Sequence, residues 1–339
     1  MTITDTRQLL SHWNISKALN AALTLASYYR GRIFGSPQHW GKPISLSIEP
    51  TTACNLRCPE CPSGLRSFTR PTGKLSLELL DKTLNEVKDH CTYINFYFQG
   101  EPYLHPQFFE MVKHADNAGI YTATSTNAHF LDDIRAKGTV ESGLDRLIIS
   151  IDGTEQATYE SYRKEGSLAK VIEGTKNVVK WKKELKSKTP HIIFQFLVVK
   201  PNEHQVDEVK KLGKELGVNE VKFKTAQIYD FENGNELIPS IDKYSRYKKG
   251  SAGKWEIKNP LDDHCWRMWS GAVITWDGKV IPCCFDKDAE HSMGTLANTS
   301  FTEIWNSDNY KNFRKSVLTS RSEIEMCKNC SEGTTVWET

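Results

Sequence analysis

The sequence lacks any long apolar run. Its longest β-rich apolar stretch, Ile192–Val199, has eight residues and includes Gln195, whereas a spanning helix needs about 20. The N-terminus, Met1-Thr-Ile-Thr-Asp-Thr-Arg7, has no basic segment leading into an apolar one, so no secretory signal is visible and a cytoplasmic protein is expected. An excess of one charge is missing too. The 44 basic and 42 acidic residues leave a net charge of +2 without a long single-sign run, which argues against a dedicated nucleic-acid binder. Neither an internal repeat nor a low-complexity tract is evident. With 38% hydrophobic residues the chain can build a sizeable core, and 339 residues suggest one large and one small domain.

Cysteine is abundant. There are nine, an odd number, and they are grouped: Cys54, Cys58 and Cys61; Cys91; then Cys265, Cys283, Cys284, Cys327 and Cys330. Disulfides are out of place in a reducing compartment, so grouped thiols point to metal or cluster ligation.

Four segments follow from the pattern. Residues 1–42 form a preface in which Leu9, Leu10, Trp13, Leu19, Ala22, Leu23, Ala26 and Tyr29 recur near helical spacing. The expectation is an amphipathic helix whose apolar face packs on the main domain; a membrane-surface helix is the sharper alternative, weakened by few Lys or Arg on the polar face. Residues 43–228 alternate strand patterns (44–49, 93–98, 121–126, 146–151, 191–199 and 220–226) with helical ones (76–90, 106–118, 168–185 and 203–216). This predicts an α/β fold with a right-handed parallel sheet, a partial (β/α)6 barrel. One face of each strand is polar or mixed, as in Asn95, Tyr97 and Gln99, so the lumen is expected to hold something other than side chains. Residues 229–260, rich in Gly, Asn and Pro, read as a linker, and 261–339 as a small cysteine-rich domain.

The strongest motif is Cys54-Asn-Leu-Arg-Cys58-Pro-Glu-Cys61, directly after the first strand. Three soft thiolates at this spacing can bind three irons of a cubane and leave the fourth open to a ligand. Zinc would need a fourth protein ligand from afar. A second set combines Cys265, Cys283 and the pair Cys327-Lys-Asn-Cys330. Val273–Trp276, an Asp277-Gly278 turn and Lys279–Ile281 read as a hairpin that brings Cys283 near Cys265. Spacing alone leaves this set open between a zinc ribbon and an iron–sulfur cluster.

The first motif, its place after the opening strand and the elements that follow resemble the radical S-adenosylmethionine (SAM) superfamily over roughly residues 44–228. The resemblance implies a [4Fe–4S] cluster on Cys54, Cys58 and Cys61, with SAM chelating the open iron and cleaved to a 5′-deoxyadenosyl radical that abstracts hydrogen. It also implies cofactor contacts. Gln99-Gly100-Glu101-Pro102 matches the motif that meets SAM's ammonium, with Gln99 in place of a glycine. Ser150 and Asp152 match the ribose-binding element, and Arg163 the arginine that steadies SAM's carboxylate. Asn127 and Gln195 are further lumen contacts. Glu60 stands where an aromatic residue near the adenine is usual. The second set resembles the auxiliary-cluster domains called SPASM, and more closely their shortened twitch form with one [4Fe–4S] cluster. No cysteine follows Cys330, so a second auxiliary cluster is not expected.

The function implied is a radical SAM oxidoreductase that dehydrogenates its substrate, a small molecule or a peptide, with one auxiliary cluster carrying the electron. Lys224 is the candidate base. An external one-electron donor such as flavodoxin or ferredoxin is implied. The alternatives are epimerisation or cross-linking of a ribosomally made peptide, deoxygenation of an amino sugar, and a non-enzymatic metal-binding scaffold. Cys284 and Cys91 are assigned to packing.

Overall fold

Six parallel strands with helices between them form the body of the computed structural model, which describes residues 2–331. They are β1 (Ser45–Ile48), β2 (Tyr93–Asn95), β3 (Tyr121–Thr126), β4 (Arg146–Ser150), β5 (His191–Val198) and β6 (Glu220–Thr225). Each pairs with the next in parallel register. Their outward residues, among them Ile94, Leu147, Ile149, Phe194 and Phe196, are fully buried under the helices. The inward set includes Ser45, Ser47, Asn95, Ile148 and Lys224, and it lines an open lumen cavity of about 290 Å³. The polar strand faces thus surround space, as their alternation predicts.

Beyond the barrel, β7 (Tyr247–Lys249) and β8 (Trp255–Ile257) make an antiparallel hairpin within the segment read as a linker. The C-terminal part then contributes β9 (Gly271–Ile274), β10 (Lys279–Ile281) and β11 (Gly294–Thr295). β9 starts two residues before the expected strand, where Gly271 pairs with Ser45 of β1, and ends two residues early, where Thr275 N–H donates to the Lys279 carbonyl at 3.0 Å and closes the turn. These strands do not form a separate sheet. β9 pairs in parallel with β1, so one nine-stranded sheet runs from β11 through β10, β9 and β1 to β6. The expected cysteine-rich domain of 261–339 extends past the described residues, and 332–339 lie outside them.

The preface departs from expectation. It forms α1 (Ile3–Ser11) and α2 (Ile15–Phe34), but α2 packs through its polar and small residues. Lys17, Thr24, Ser27, Tyr28 and Gly31 are buried, while Leu10, Trp13, Leu19, Leu23 and Tyr29 are exposed. The physical reason is hydrogen bonding. The buried face meets backbone groups at the strand starts that require polar partners, and the Lys17 ammonium donates to the carbonyls of Gly119 (2.6 Å) and His12 (3.1 Å).

Two histidines stand at this preface, His39 half-buried and His90 buried. His39 Nε2 donates to the Trp269 carbonyl at 2.8 Å, and burial lowers its pKa to about 4 from 6.5. Burial does the same to His90. Folded, both bind fewer protons than unfolded between pH 6.5 and 4, so they remove stability as pH falls through that window. The melting temperature is expected to drop from pH 7 to pH 4, and less steeply in His39→Gln/His90→Gln, as read by calorimetry.

Candidate functional site

The loop after β1 carries Cys54, Cys58 and Cys61 at the C-terminal ends of the strands. It is folded tightly: Cys61 N–H donates to the Cys58 carbonyl at 3.3 Å and Leu65 N–H to the Cys61 carbonyl at 2.8 Å. A Cβ on Gly64 would lie 2.6 Å from Cys58 N and O, so only glycine allows this approach. The three cysteines line one pocket with Tyr97, Gly100, Glu101, Ser125, Thr126, Asn127, Ser150 and Arg163. Among the described residues no fourth cysteine and no histidine lines it.

Burial raises the Cys54 thiol to about 12 and raises Cys58 as well, with the Arg163 cation opposing. Thiols in such a setting ionise only against a strong cation, and a metal cluster supplies one. The three-thiol donor set with an open side therefore fits a cluster with one iron left for a ligand.

Charged groups of both signs stand at the wall. Glu101 is held by hydrogen bonds from Asn127 N–H (2.8 Å), Thr126 Oγ1 (2.7 Å) and Tyr103 N–H (3.3 Å). Burial nevertheless raises its pKa to about 7, with these hydrogen bonds and the Arg163 cation opposing. Gly100 sets this turn with φ of 75°, and a Cβ there would lie 2.3 Å from the Thr51 carbonyl. Gly100→Ala is expected to cost roughly 2 kcal/mol or more of stability, measured by chemical denaturation, and to displace Glu101. Arg163 Nε donates to Asp152 Oδ2 at 2.5 Å and Nη1 approaches Cys58 Sγ at 3.7 Å. Asp152 Oδ1 accepts from Leu197 N–H at 2.7 Å. Asp152 is thus fully engaged with protein, behind Arg163 rather than in the pocket lining.

The other expected residues divide. Asn127 and Ser150 line the pocket, and Asn127 Nδ2 donates to Asn55 Oδ1 at 2.8 Å. Gln99 Oε1 accepts from Ser63 Oγ at 3.5 Å, and Ser63 Oγ in turn accepts from Gly100 N–H at 2.9 Å. Pro102 opens a buried 3-10 turn. Gln195 pairs in register with Ser150 but is outside the pocket lining. Glu60, the atypical residue before the third cysteine, accepts from Tyr229 N–H at 2.9 Å, so it ties the cysteine loop to the segment after β6.

Cys265, Cys283, Cys327 and Cys330 converge on a second pocket walled by Met268, Phe285, Val317 and Met326. This donor set of four fits a fully ligated centre. Arg321 lies there too, with Nη2 3.6 Å from Cys330 Sγ, and three of the cysteines act on its charge. Sequence reasoning missed it, because an arginine six residues before a ligand has no diagnostic spacing. Tyr97 was also missed as a site residue, although its place on the lumen face of the strand pattern marks it.

Cys284 packs beside Cys265 and Cys283 but lines the lumen cavity, with Cys283, Lys224 and Arg267, rather than the four-cysteine pocket. Lys224 is exposed to this open space, and the protein groups around it lower its pKa. Cys91 is fully buried in the barrel core. A cleft of about 830 Å³ opens beside both sites, with Tyr229, Phe231, Phe285, Lys287, Asp288 and Met326 among its walls.

Comparison with known proteins agrees with this geometry. The model of the radical SAM superfamily matches residues 48–212, and that of SPASM, an iron–sulfur cluster-binding domain, matches 265–331. The chain belongs to the radical SAM superfamily and carries a C-terminal SPASM domain. Its cofactors are SAM, the [4Fe–4S] cluster that binds it and an auxiliary [4Fe–4S] cluster. A similar curated protein is the tungsten-containing aldehyde ferredoxin oxidoreductase cofactor-modifying protein of Pyrococcus furiosus, 26% identical over 319 residues, covering 84% of this chain and 86% of that one. Another is the PqqA peptide cyclase of Bradyrhizobium diazoefficiens, 25% identical over 322 residues and covering 86% and 79%. Among solved structures, Streptococcus suis SuiB bound to S-adenosylmethionine aligns with a TM-score of 0.65 at 14% identity, over 94% of this chain and 77% of that one. No helix among the described residues is long and apolar enough to cross a membrane.

Proposed function

We propose that this radical SAM enzyme dehydrogenates its substrate, removing two hydrogens overall. The observation that carries the reading is the convergence of Cys265, Cys283, Cys327 and Cys330 on one pocket. When bound, SAM and the cluster on Cys54, Cys58 and Cys61 supply a 5′-deoxyadenosyl radical that takes one hydrogen atom from substrate. Cys265, Cys283, Cys327 and Cys330 would hold the auxiliary cluster with four thiolates, which would leave no iron for a substrate and would make the cluster a one-electron acceptor. The balance is one hydrogen atom, one proton and one electron.

The chain's own residues orient the reactants. Glu101 offers its buried carboxylate to SAM's ammonium and Arg163 its guanidinium to the carboxylate, as charge-assisted hydrogen bonds. Asp152 acts by fixing Arg163, and Ser150, Asn127 and Gly100 shape the rest of the cradle. Gln99 and Pro102 hold the turn, and Gln195 faces the lumen one strand further on. Lys224, its amine less basic through the protein groups around it, receives the proton. An external donor such as flavodoxin or ferredoxin primes the reaction, and the thiol sites suit the cytoplasm.

A second substrate class has an observation in its favour. The 830 Å³ cleft is large enough for a peptide segment, and one relative is named a peptide cyclase. Joining two C–H carbons of a peptide also removes two hydrogens, so cross-linking shares the redox outcome. The test is mass spectrometry of product with one 5′-deoxyadenosine counted per turnover. A product two mass units lighter supports the reading; one of unchanged mass means epimerisation or rearrangement and overturns it. Asp152→Asn is expected to weaken SAM binding about ten-fold by freeing Arg163, measured by equilibrium binding.

A further inference from the structure

The preface helix α2 is turned inside out. Its apolar residues face solvent, with Ile15 at 81% exposure, Leu19 at 61%, Ile33 at 67% and Phe34 at 76%. Ile3 and Leu10 of α1, with Trp13 and Trp40 beside the helices, extend the exposed apolar face.

This orientation is fixed rather than loose. Asn20 exchanges hydrogen bonds with Lys42, donating to its carbonyl at 2.9 Å and accepting from its N–H at 2.7 Å. Thr24 Oγ1 donates to the same carbonyl at 3.1 Å, and Tyr28 OH lies 3.1 Å from His264 Nδ1. A Cβ on Gly31 would lie 2.7 Å from the Trp269 ring. Rotating the helix to bury its leucines would break these bonds and leave their buried partners unsatisfied. The apolar stripe is therefore presented outward by the fold, and a contiguous patch of this kind marks an interaction surface.

Charge indicates the occupant. The one acidic residue of the segment, Asp5, is buried against Arg146 and Tyr121. Arg7 and Arg32 are exposed and Arg30 and Lys42 partly so, and Arg30 lies over the Trp40 ring at 5.5 Å. The segment thus combines leucine, isoleucine, tryptophan and tyrosine with cations alone among its own exposed charges. Two copies meeting through this face would set like charges against each other, whereas an anionic lipid surface complements both the cations and the apolar stripe. We propose that the outer face of α1 and α2 docks this protein on an anionic bilayer surface, with the helix lying in the interface plane.

The placement leaves the chemistry accessible. α1 and the first turn of α2 bind Arg146, Tyr121 and Gly119 at the starts of the strands, while the cysteine loop stands at the opposite ends.

The test uses the full chain with both clusters loaded, sedimented with vesicles of phosphatidylcholine containing phosphatidylglycerol and with vesicles of phosphatidylcholine alone. Binding is expected to the anionic vesicles, to weaken with salt, and to fall at least about ten-fold in Leu19→Ser/Leu23→Ser/Ile33→Ser/Phe34→Ser. Arg7→Gln/Arg32→Gln is expected to weaken it by roughly five-fold per cation removed. All these side chains are exposed, so melting temperature and iron content should match the wild type. Failure of the wild type to sediment, or equal sedimentation of the serine variant, overturns the proposal. So does a dimer in light scattering that the serine variant disperses while neither protein binds vesicles, because a second copy would then cover the face.

Discussion

Cys54→Ala/Cys58→Ala/Cys61→Ala is expected to halve the iron of the anaerobically reconstituted protein, from about eight to about four atoms per chain, and to abolish SAM cleavage. The geometry makes the loss specific. The three thiols line one pocket without the other six cysteines, and the four C-terminal thiols line another, so each centre assembles from its own ligands. Iron and sulfide assays with electron paramagnetic resonance check this. A variant that retains two clusters would mean that the C-terminal set holds both, and loss of both would mean that the sites depend on each other. SAM binding should fall with the cluster even though Glu101 and Arg163 remain, because two side chains cannot replace an open iron.

The second large effect is expected from Cys327→Ala/Cys330→Ala. This variant should keep the first cluster and slow, substrate-independent formation of 5′-deoxyadenosine, while product formation falls by at least about a hundred-fold. Cleavage and product formation then separate, which is the signature of a missing electron acceptor. Full turnover by this variant would remove the auxiliary centre from the reaction. Arg321 offers a finer probe. Its guanidinium lies beside Cys330, and a cation near cluster sulfur raises the reduction potential, so Arg321→Gln is expected to lower it, as measured by redox titration.

Much of the barrel was legible because its strands alternate one apolar face with one polar face. Tyr121–Thr126 matches the expected strand end for end, and the lumen foreseen from strand faces such as that of Asn95 is present as a cavity. The cysteine sets were legible because a thiol at short fixed spacing has few other uses. What escaped depends on tertiary partners. The preface shows a helical period, but period alone does not say which face is buried, and Lys17, Asn20 and Thr24 bury the polar one because backbone groups await them. Arg321 and Tyr97 carry no spacing of their own. Asp152 reads as a ligand contact from its motif, whereas its two oxygens are taken by Arg163 and Leu197.

The parallel pairing of β9 with β1 has a consequence for timing. Ser45 to Ile48 lie in register with Gly271 to Ile274, the cysteine loop leaves the end of β1, and Cys283 follows two residues after β10, which is laced to β9. The gap between the two metal centres is thereby spanned by a ladder of backbone hydrogen bonds rather than by a tether. A ladder does not stretch, so in the proposed reaction the electron would cross a fixed distance on every turnover. Lengthening the interdomain segment around Gly250–Gly253 should leave that distance, and the single-turnover rate it governs, untouched.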